Sequence, residues 1–358
     1  MGTVPDIIRL MTRSGTVRTS AARGRRVRRA SVVGALAAAT VAGCGSDDAS
    51  DAAAEVSAAA TGDPASLNLV ASFYPLQFVA ERVGGDGVAV SNLTPAGAEP
   101  HDLELTGQDT AMLQDAGLVV YLSGFSPALD EAVAVAGGDH FFDVAAAARL
   151  DLEGAEDEHD EEYTEEPTST AQDAEEHPEE GDDRGGVDPH FWLDPTRLAD
   201  VADAVAARLG ELDPERAAEF DANATSLRNG LEALDAEFEA GLAQCVSPEM
   251  VTSHAAFGYL AQRYGLTQVG ISGLSPDEEP SPGRLAEVAE FVTKHDVSTI
   301  YYETLVDPAV AQAVANETGA DDAVLDPIEG LTDESAGGDY FDVMRSNLES
   351  LRSGQDCT

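Results

Sequence analysis

The chain has 358 residues, of which 43% are hydrophobic and 24% are charged, and its 67 acidic and 20 basic side chains give a formal net charge of −47. This hydrophobic fraction is enough for a packed core, which excludes a globally disordered chain, and the length allows two domains. Nucleic-acid binding is excluded because phosphate contacts need clustered Lys and Arg, and Lys294 is the only lysine. No run of about 18 apolar residues follows residue 43, so no membrane span is expected beyond that point.

The first 43 residues predict an export signal. Eight arginines precede an apolar run at positions 30–42, which is the order of charged and hydrophobic segments in a signal peptide. The tetrapeptide Val-Ala-Gly-Cys that ends at Cys44 resembles the lipobox of bacterial lipoproteins, in which the cysteine is lipidated and becomes the mature N-terminus. We therefore expect a lipid anchor on Cys44, and the alternative is an ordinary signal peptide with an incidental cysteine. The polar residues 44–65 are expected to form a disordered tether.

Strand and helix patterns alternate from residue 66 onward. In the first part of the chain the predicted elements are strand 67–73, helix 75–83, strand 88–93, helix 107–116, strand 118–122 and helix 127–136. Strands that alternate with helices of this length predict parallel sheets built from β-α-β units.

Residues 151–188 interrupt this alternation. The tract contains 18 acidic residues, a single arginine, Arg184, and two histidines, His159 and His177. Such a composition cannot bury a core, so the tract is predicted to be a disordered acidic loop. The tract either captures cations with low affinity or serves only as a solvated spacer.

Two Asp-Pro pairs, at 194–195 and 213–214, each predict a helix start, because Asp caps a helix and Pro occupies its first turn. The first helix is expected to end near Leu209. The second has apolar residues at spacings of 3, 4 and 7, which predicts one amphipathic helix over residues 213–243, about 45 Å long. Its apolar positions are Phe220, Leu227, Leu231, Leu234, Phe238 and Leu242. A helix of this length is expected to link two lobes.

Alternation resumes after this linking helix. The predicted elements are strand 250–253, helix 256–264, strand 267–271, helix 282–295, strand 298–302, helix 308–318, strand 323–325 and helix 340–353. We therefore predict an α/β protein with an N-terminal lobe at 66–212 and a C-terminal lobe at 244–358. Each lobe is expected to hold a mainly parallel four-stranded sheet flanked by helices, and the long helix joins them.

Two cysteines remain besides Cys44. Cys245 precedes the first strand of the second lobe, and Cys357 is the penultimate residue. An exported protein enters an oxidising compartment, where an even pair of cysteines usually bonds. A disulfide between them is therefore predicted, and two unpaired buried thiols are the alternative.

Four polar residues stand where a ligand site is expected. His101 follows strand 88–93, His190 lies in the loop 188–195, His254 follows strand 250–253 and Asp326 follows strand 323–325. In open α/β sheets, ligands bind beyond the carboxyl ends of the strands. Three imidazoles and a carboxylate suit a borderline metal ion such as Zn²⁺. Any one such histidine is more often structural, so the prediction depends on the whole set.

Three segments resemble the metal-ligand motifs of a known family. They are Pro-His-Asp-Leu-Glu-Leu-Thr at 100–106, Asp-Pro-His-Phe-Trp-Leu-Asp-Pro at 188–195 and His-Ala-Ala-Phe-Gly-Tyr-Leu at 254–260. These are similar to motifs of the zinc/manganese substrate-binding lipoproteins of ABC importers (cluster A-I), and segment 270–282 resembles the loop that follows them. The resemblance covers about residues 67–353.

The resemblance implies a ligand set. His101 and His190 from the first lobe and His254 and Asp326 from the second would coordinate the ion, with Glu99 as an alternative to Asp326. Manganese and iron members usually carry Glu at the third position, so His254 favours zinc, in agreement with the preference of imidazole for Zn²⁺ over Mn²⁺. Glu303 is expected to accept a hydrogen bond from a ligand imidazole and orient it, or to face solvent beside the cleft.

The function expected from this resemblance is that of a monomeric, lipid-anchored, extracytoplasmic receptor, not an enzyme. It would capture Zn²⁺ and deliver it to the transmembrane subunit of an ABC permease. The alternatives are a manganese or iron receptor of the same fold, an adhesin-type surface protein and a secreted zinc hydrolase. The sequence contains neither a His-Glu-x-x-His nor a Gly-x-Ser-x-Gly motif, which disfavours the hydrolase.

Overall fold

The computed structural model describes residues 66–154, 186–332 and 334–358. The predicted signal peptide, Cys44 with its tether, and His159 and His177 of the predicted acidic loop lie outside these ranges. Within them, no helix combines the length and the apolar character that a membrane span requires.

Two parallel sheets of four strands form the framework of the described residues. The strands are β1 Leu67–Ala71, β2 Val88–Asn92, β3 Leu118–Tyr121, β4 Phe141–Asp143, β5 Glu249–Thr252, β6 Thr267–Gly270, β7 Thr299–Tyr302 and β8 Asp321–Val324. The first sheet has the order β2-β1-β3-β4 and the second has the order β6-β5-β7-β8, with every pairing parallel. The fold class predicted from the alternation of strands and helices is confirmed.

Helices cover both sheets and connect them. They are α1 Tyr74–Gly84, α2 Gly107–Asp115, α3 Pro127–Ala136, α4 Ala145–Ala148, α5 Pro195–Leu212, α6 Ala217–Leu242, α7 Gly258–Tyr264, α8 Pro282–His295, α9 Ala309–Thr318 and α10 Tyr340–Gly354. Side chains cap the starts of α5 and α8: Asp194 Oδ1 accepts a hydrogen bond from Thr196 N at 2.8 Å, and Ser281 Oγ accepts one from Arg284 N at 3.1 Å.

The predicted linking helix is α6, and it has 26 residues. Its first turn lies later than expected, because Asp213 ends α5 and forms a turn in which its carboxylate accepts from Arg216 Nε at 2.7 Å. The predicted apolar stripe of α6 is buried at all six positions, from Phe220 to Leu242. The helix α6 contacts α1 and α5 of the first lobe and α7 and α10 of the second.

The largest hydrophobic core is continuous across the two lobes. It includes Leu69 and Val120 of the first sheet, Trp192 between the lobes, and Met250 and Tyr340 of the second lobe. Two smaller clusters fill the opposite faces of the sheets, one around Val119 and one around Ile300. Because the two lobes share this close-packed core, packing fixes the position of one lobe relative to the other.

The predicted disulfide between Cys245 and Cys357 is present. It joins the segment after α6 to the end of the chain. Backbone hydrogen bonds accompany it, because Val246 N donates to Gln355 O at 3.0 Å and Thr358 N donates to Gln244 O at 3.1 Å.

Candidate metal centre

Three histidines and one glutamate converge between the two lobes. His101 lies in the loop between β2 and α2, His190 precedes the 3-10 turn Phe191–Leu193, and His254 lies between β5 and α7. Together with Glu329, which follows β8, they place one ligand atom each within 4.8 Å of all the others. The carboxyl ends of strands from both sheets therefore border one site.

The Nε2 atoms of the three imidazoles face a single carboxylate oxygen. Glu329 Oε1 lies 3.1 Å from His190 Nε2, 3.3 Å from His254 Nε2 and 3.6 Å from His101 Nε2. These nitrogens and both oxygens of Glu329 are buried, and none has a hydrogen-bond partner among the described residues. Buried polar atoms without partners are costly. A cation at their centre would satisfy all of them at once.

Asp188 fixes the orientation of His190. Its Oδ1 atom accepts a hydrogen bond from the backbone N of His190 at 2.9 Å and lies 2.8 Å from Nδ1 of the ring. Because a carboxylate can only accept, Nδ1 carries a proton, and Nε2 faces the cluster as the nitrogen that can bind a metal ion. The short spacing within Asp-Pro-His allows one side chain to hold both the backbone and the ring.

Glu303 contacts His254 in the same way. Glu303 Oε1 lies 2.7 Å from His254 Nδ1 and also accepts a hydrogen bond from Ser253 Oγ at 2.6 Å. Thr252 Oγ1 donates to the backbone carbonyl of His254 at 2.6 Å. These bonds turn Nε2 of His254 towards the cluster.

The sequence predicts Asp326 as the carboxylate of the site, but the structure places it outside the cluster. Its side chain accepts hydrogen bonds from Ile328 N at 2.8 Å, Thr304 Oγ1 at 3.2 Å and Ser335 Oγ at 3.3 Å. These donors hold the Asp326 side chain within its loop, and it is not a member of the cluster of close ligand atoms. The carboxylate in the cluster belongs to Glu329, three residues further along the chain.

Sequence reasoning missed Glu329 because another carboxylate, Asp326, stands nearer to the end of β8. The loop returns to the site through Ile328, whose φ is +59°, a backbone conformation that β-branched residues rarely adopt. Nothing in the composition of the loop indicates this turn. A glutamate among apolar residues and next to Gly330 is the only local signal of burial.

Glu99, the predicted alternative ligand, also lies at the site. Its Oε1 accepts a hydrogen bond from the backbone N of His101 at 3.2 Å, and its Oε2 is buried without a hydrogen-bond partner. Burial, followed by the negative charge of Glu329, raises the pKa of Glu99 to about 9. In the metal-free protein this side chain is therefore neutral near pH 7.

The charges of the cluster favour a bound cation. Burial opposes ionisation of every member, but the three nearby imidazoles outweigh it and hold the pKa of Glu329 well below 4.5. Against the same effect of burial, the Glu303 carboxylate raises the pKa of His254 well above 6.5, and Asp188 raises that of His190. Burial dominates for His101 and lowers its pKa. Without metal, protons on imidazole balance the carboxylates.

Tyr259 connects the site to the ends of the acidic tract. Its hydroxyl donates to the carbonyl of Asp188 at 3.0 Å and accepts from Asp151 N at 3.2 Å and from Leu152 N at 3.4 Å. Glu153 and Val187 form an antiparallel bridge at the same place. The described ends of the tract are thus attached beside His190.

The two-lobe fold and the buried His/Glu cluster agree with those of a family of substrate-binding proteins. A family model described as "ZnuA: Zinc-uptake complex component A periplasmic" matches residues 69–354, and the chain belongs to this family. The resemblance read from the three sequence motifs is therefore confirmed. The family consists of solute-binding receptors, so the chain is classed with the binding proteins.

Curated relatives carry names of the same kind. Zinc-binding protein AdcA of Streptococcus pyogenes serotype M3 is 38% identical over 303 residues, which cover 81% of this chain and 56% of the relative. The high-affinity zinc uptake system protein ZnuA of Bacillus subtilis is 35% identical over 293 residues, covering 80% of this chain and 86% of the relative. The chain thus spans about half the length of the AdcA relatives that it matches.

Solved structures agree with the fold. The laminin-binding protein Lmb of Streptococcus agalactiae, described as bifunctional with adhesin and metal transporting activity, superposes with a TM-score of 0.67 at 31% identity, covering 81% of this chain and 99% of that one. The Zn(II)-bound ZnuA-like domain of Streptococcus pneumoniae AdcA gives a TM-score of 0.64 at 34% identity, with the same coverage of 81% and 99%.

Proposed function

We propose that this protein is an extracytoplasmic receptor that captures Zn²⁺ and delivers it to an ABC-type permease for uptake. One observation carries the proposal: four buried ligand atoms, from His101, His190, His254 and Glu329, lie within 4.8 Å of one another without hydrogen-bond partners. Both lobes contribute to this set, so a captured ion would bind the two lobes together.

The donor set supports zinc as the cargo. Three imidazole nitrogens and one carboxylate oxygen match a four-coordinate zinc site, whereas Mn²⁺ prefers oxygen ligands. His254 stands at the position where the resemblance gives manganese and iron members a glutamate. The names of the AdcA and ZnuA relatives, which describe zinc binding and zinc uptake, agree with this choice.

Four protein ligands suit binding and delivery better than catalysis. A hydrolytic zinc site keeps an open position for water and places a base beside it. Here the fourth position would be taken by Glu329, and the nearby carboxylates of Glu303 and Asp188 contact imidazoles. We therefore infer that the protein is a carrier of the ion and not an enzyme.

The cellular setting is part of the proposal. Lipidation of Cys44 would anchor the protein to the outer face of the membrane, within reach of a permease, and a relative in Streptococcus pneumoniae is named a zinc-binding lipoprotein. We expect a monomer whose partner is the transmembrane subunit of the permease. The acidic tract with His159 and His177 would supply low-affinity capture of cations near the site.

Adhesion is a second candidate function. The observation that favours it is the similarity to Lmb, which is described as both an adhesin and a metal transporter. Binding of the purified protein to immobilised laminin, with serum albumin as the control surface, tests it. Equal signals on both surfaces would contradict a function in laminin binding.

Zinc titration against a competing chelator tests the leading proposal. We expect one high-affinity zinc per chain and a loss of more than about a hundredfold in affinity on His254→Ala, since even the loss of a residue behind a ligand costs 10- to 100-fold. His295→Ala, on α8 and away from the cluster, serves as the matched control and should bind as the unaltered protein does. Retention of the unaltered affinity by His254→Ala would contradict the proposed site.

A further inference from the structure

We propose that Trp192 is a positioning residue for Glu329, and that its indole N–H holds the carboxylate of the second lobe in the metal site. Trp192 Nε1 donates a hydrogen bond to the backbone carbonyl of Pro327 at 2.7 Å, and both residues are buried. The donor stands two residues after His190, and the acceptor stands two residues before Glu329. This inference rests on the proposed binding of zinc.

The donor itself is held rigidly. Trp192 is fully buried, and its backbone carbonyl accepts a hydrogen bond from Tyr340 Oη at 2.6 Å. The indole packs against Phe73 and Phe125, with ring centroids at 4.8 Å and 5.5 Å. The same ring lies 5.3 Å from the imidazole of His190. The position of the N–H is therefore set by aromatic side chains of the first lobe, by ligand His190 and by Tyr340 of the second lobe.

The acceptor segment needs such a restraint. Ile328, between Pro327 and Glu329, has a φ of +59°, which is strained for a β-branched residue and persists only when its surroundings hold it. Two contacts do so: the indole bonds the carbonyl on one side, and Asp326 Oδ1 accepts from Ile328 N at 2.8 Å. Loss of either contact would let the segment relax to an ordinary backbone conformation.

Glu329 depends on its backbone more than the other members of the cluster do. His190 and His254 each have a carboxylate, from Asp188 and Glu303, that fixes the ring. Neither oxygen of Glu329 has a hydrogen-bond partner among the described residues. Its place in the site is set by the path of residues 326–330, and hence by the indole. Without the indole N–H, Glu329 would withdraw and leave a site of three imidazoles that releases zinc faster.

Replacing a single atom of the indole tests this role. The chain contains only one tryptophan, so an analogue of tryptophan can be placed at this position alone. Benzothienylalanine, introduced at this codon by suppression, keeps the shape of the indole and replaces its N–H by sulfur. Zinc release into excess chelator is then measured for this protein, for Trp192→Phe and for Phe220→Leu, a control for lost packing at another fully buried aromatic side chain. We expect release at least about tenfold faster from both Trp192 proteins, the equivalent of about 1.4 kcal/mol, and an unchanged rate from Phe220→Leu.

A double-mutant cycle separates positioning from general destabilisation. If the indole acts through Glu329, its replacement should have no additional effect in a Glu329→Gln background. The Co²⁺ absorption spectrum of the benzothienyl protein should also move towards that of Glu329→Gln. Release at the unaltered rate by the benzothienyl protein, or an equal effect with and without Glu329, would overturn the inference. Failure of the unaltered protein to bind zinc would instead overturn the proposed function, and this inference with it.

Discussion

Glu303 Oε1 lies 2.7 Å from Nδ1 of His254, and both side chains are buried between the lobes. The contact keeps the proton on Nδ1, so that Nε2 is left as the metal-binding atom. Ser253, the residue before His254, donates to the same oxygen. A carboxylate at the end of β7 thereby orients a ligand at the end of the neighbouring strand β5.

Glu303→Gln should weaken zinc binding by about 10- to 100-fold, because the neutral amide orients the imidazole less firmly and makes it less basic. Chelator competition measures the affinity. Glu290→Gln, at an exposed position on α8 of the same lobe, removes an equal charge and should leave the affinity unchanged. Equal losses for both variants would mean that only the total charge matters.

Asp326 and Glu329 should separate into two different roles. Glu329→Ala removes a ligand, so zinc affinity should fall by at least about a hundredfold while the melting temperature of the metal-free protein changes little. Asp326→Ala removes the acceptor of three hydrogen bonds and should lower the free energy of unfolding by about 1–3 kcal/mol, with a smaller loss of affinity.

Asp322→Ala, an exposed carboxylate on β8, is the control for that comparison. A larger loss of affinity from Asp326→Ala than from Glu329→Ala, at equal stability, would return Asp326 to the ligand set.

Glu99 is a further carboxylate beside the cluster, and its role can be tested by an isosteric change. Because burial raises its pKa to about 9, the side chain is protonated near pH 7 in the metal-free protein. Glu99→Gln reproduces that neutral form, so zinc affinity at pH 7 should stay within about threefold of the unaltered value, which is under 0.7 kcal/mol. A loss comparable to that of Glu329→Ala would show that Glu99 ionises to bind the metal.

Zinc affinity should rise with pH. Against the opposing effect of burial, carboxylates raise the pKa of His190 and, more strongly, of His254 above 6.5, so these imidazoles hold protons that zinc must displace. As the pH falls below those raised pKa values, protons compete more strongly and the affinity declines. Titration calorimetry in buffers of different ionisation enthalpy should show release of protons on binding near pH 7. Binding without proton release would contradict the assigned protonation states.

The sequence predicted the fold well because local patterns and tertiary structure agree. Buried strands such as Leu118–Tyr121 are continuous apolar runs, and the apolar stripe of α6 keeps a helical period. The start of α6 was less predictable, since the turn at Asp213 depends on the contact between its side chain and Arg216. Cys44, His159 and His177 lie outside the described residues, so their roles stay predictions.

The three imidazoles of the candidate site could be predicted from the sequence, but its carboxylate, Glu329, could not. His254 stands where β5 leads into its loop, and His101 lies in the loop between β2 and α2 within a segment that resembles a known ligand motif. Glu329 reaches the same point through a left-handed residue, Ile328, and through the contact between Trp192 and Pro327. Such a path depends on packing between the lobes, and residues near in sequence do not encode it.

X-ray absorption at the zinc edge of the loaded protein tests the central claim most directly. We expect a four-coordinate ion with three imidazole nitrogens at about 2.0–2.1 Å and one oxygen at about 2.0–2.2 Å. In Glu329→Gln the oxygen contribution should change while the three imidazoles remain. A spectrum with fewer than two imidazoles, or with sulfur at about 2.3 Å, would contradict the assignment of His101, His190, His254 and Glu329 as the zinc-binding residues.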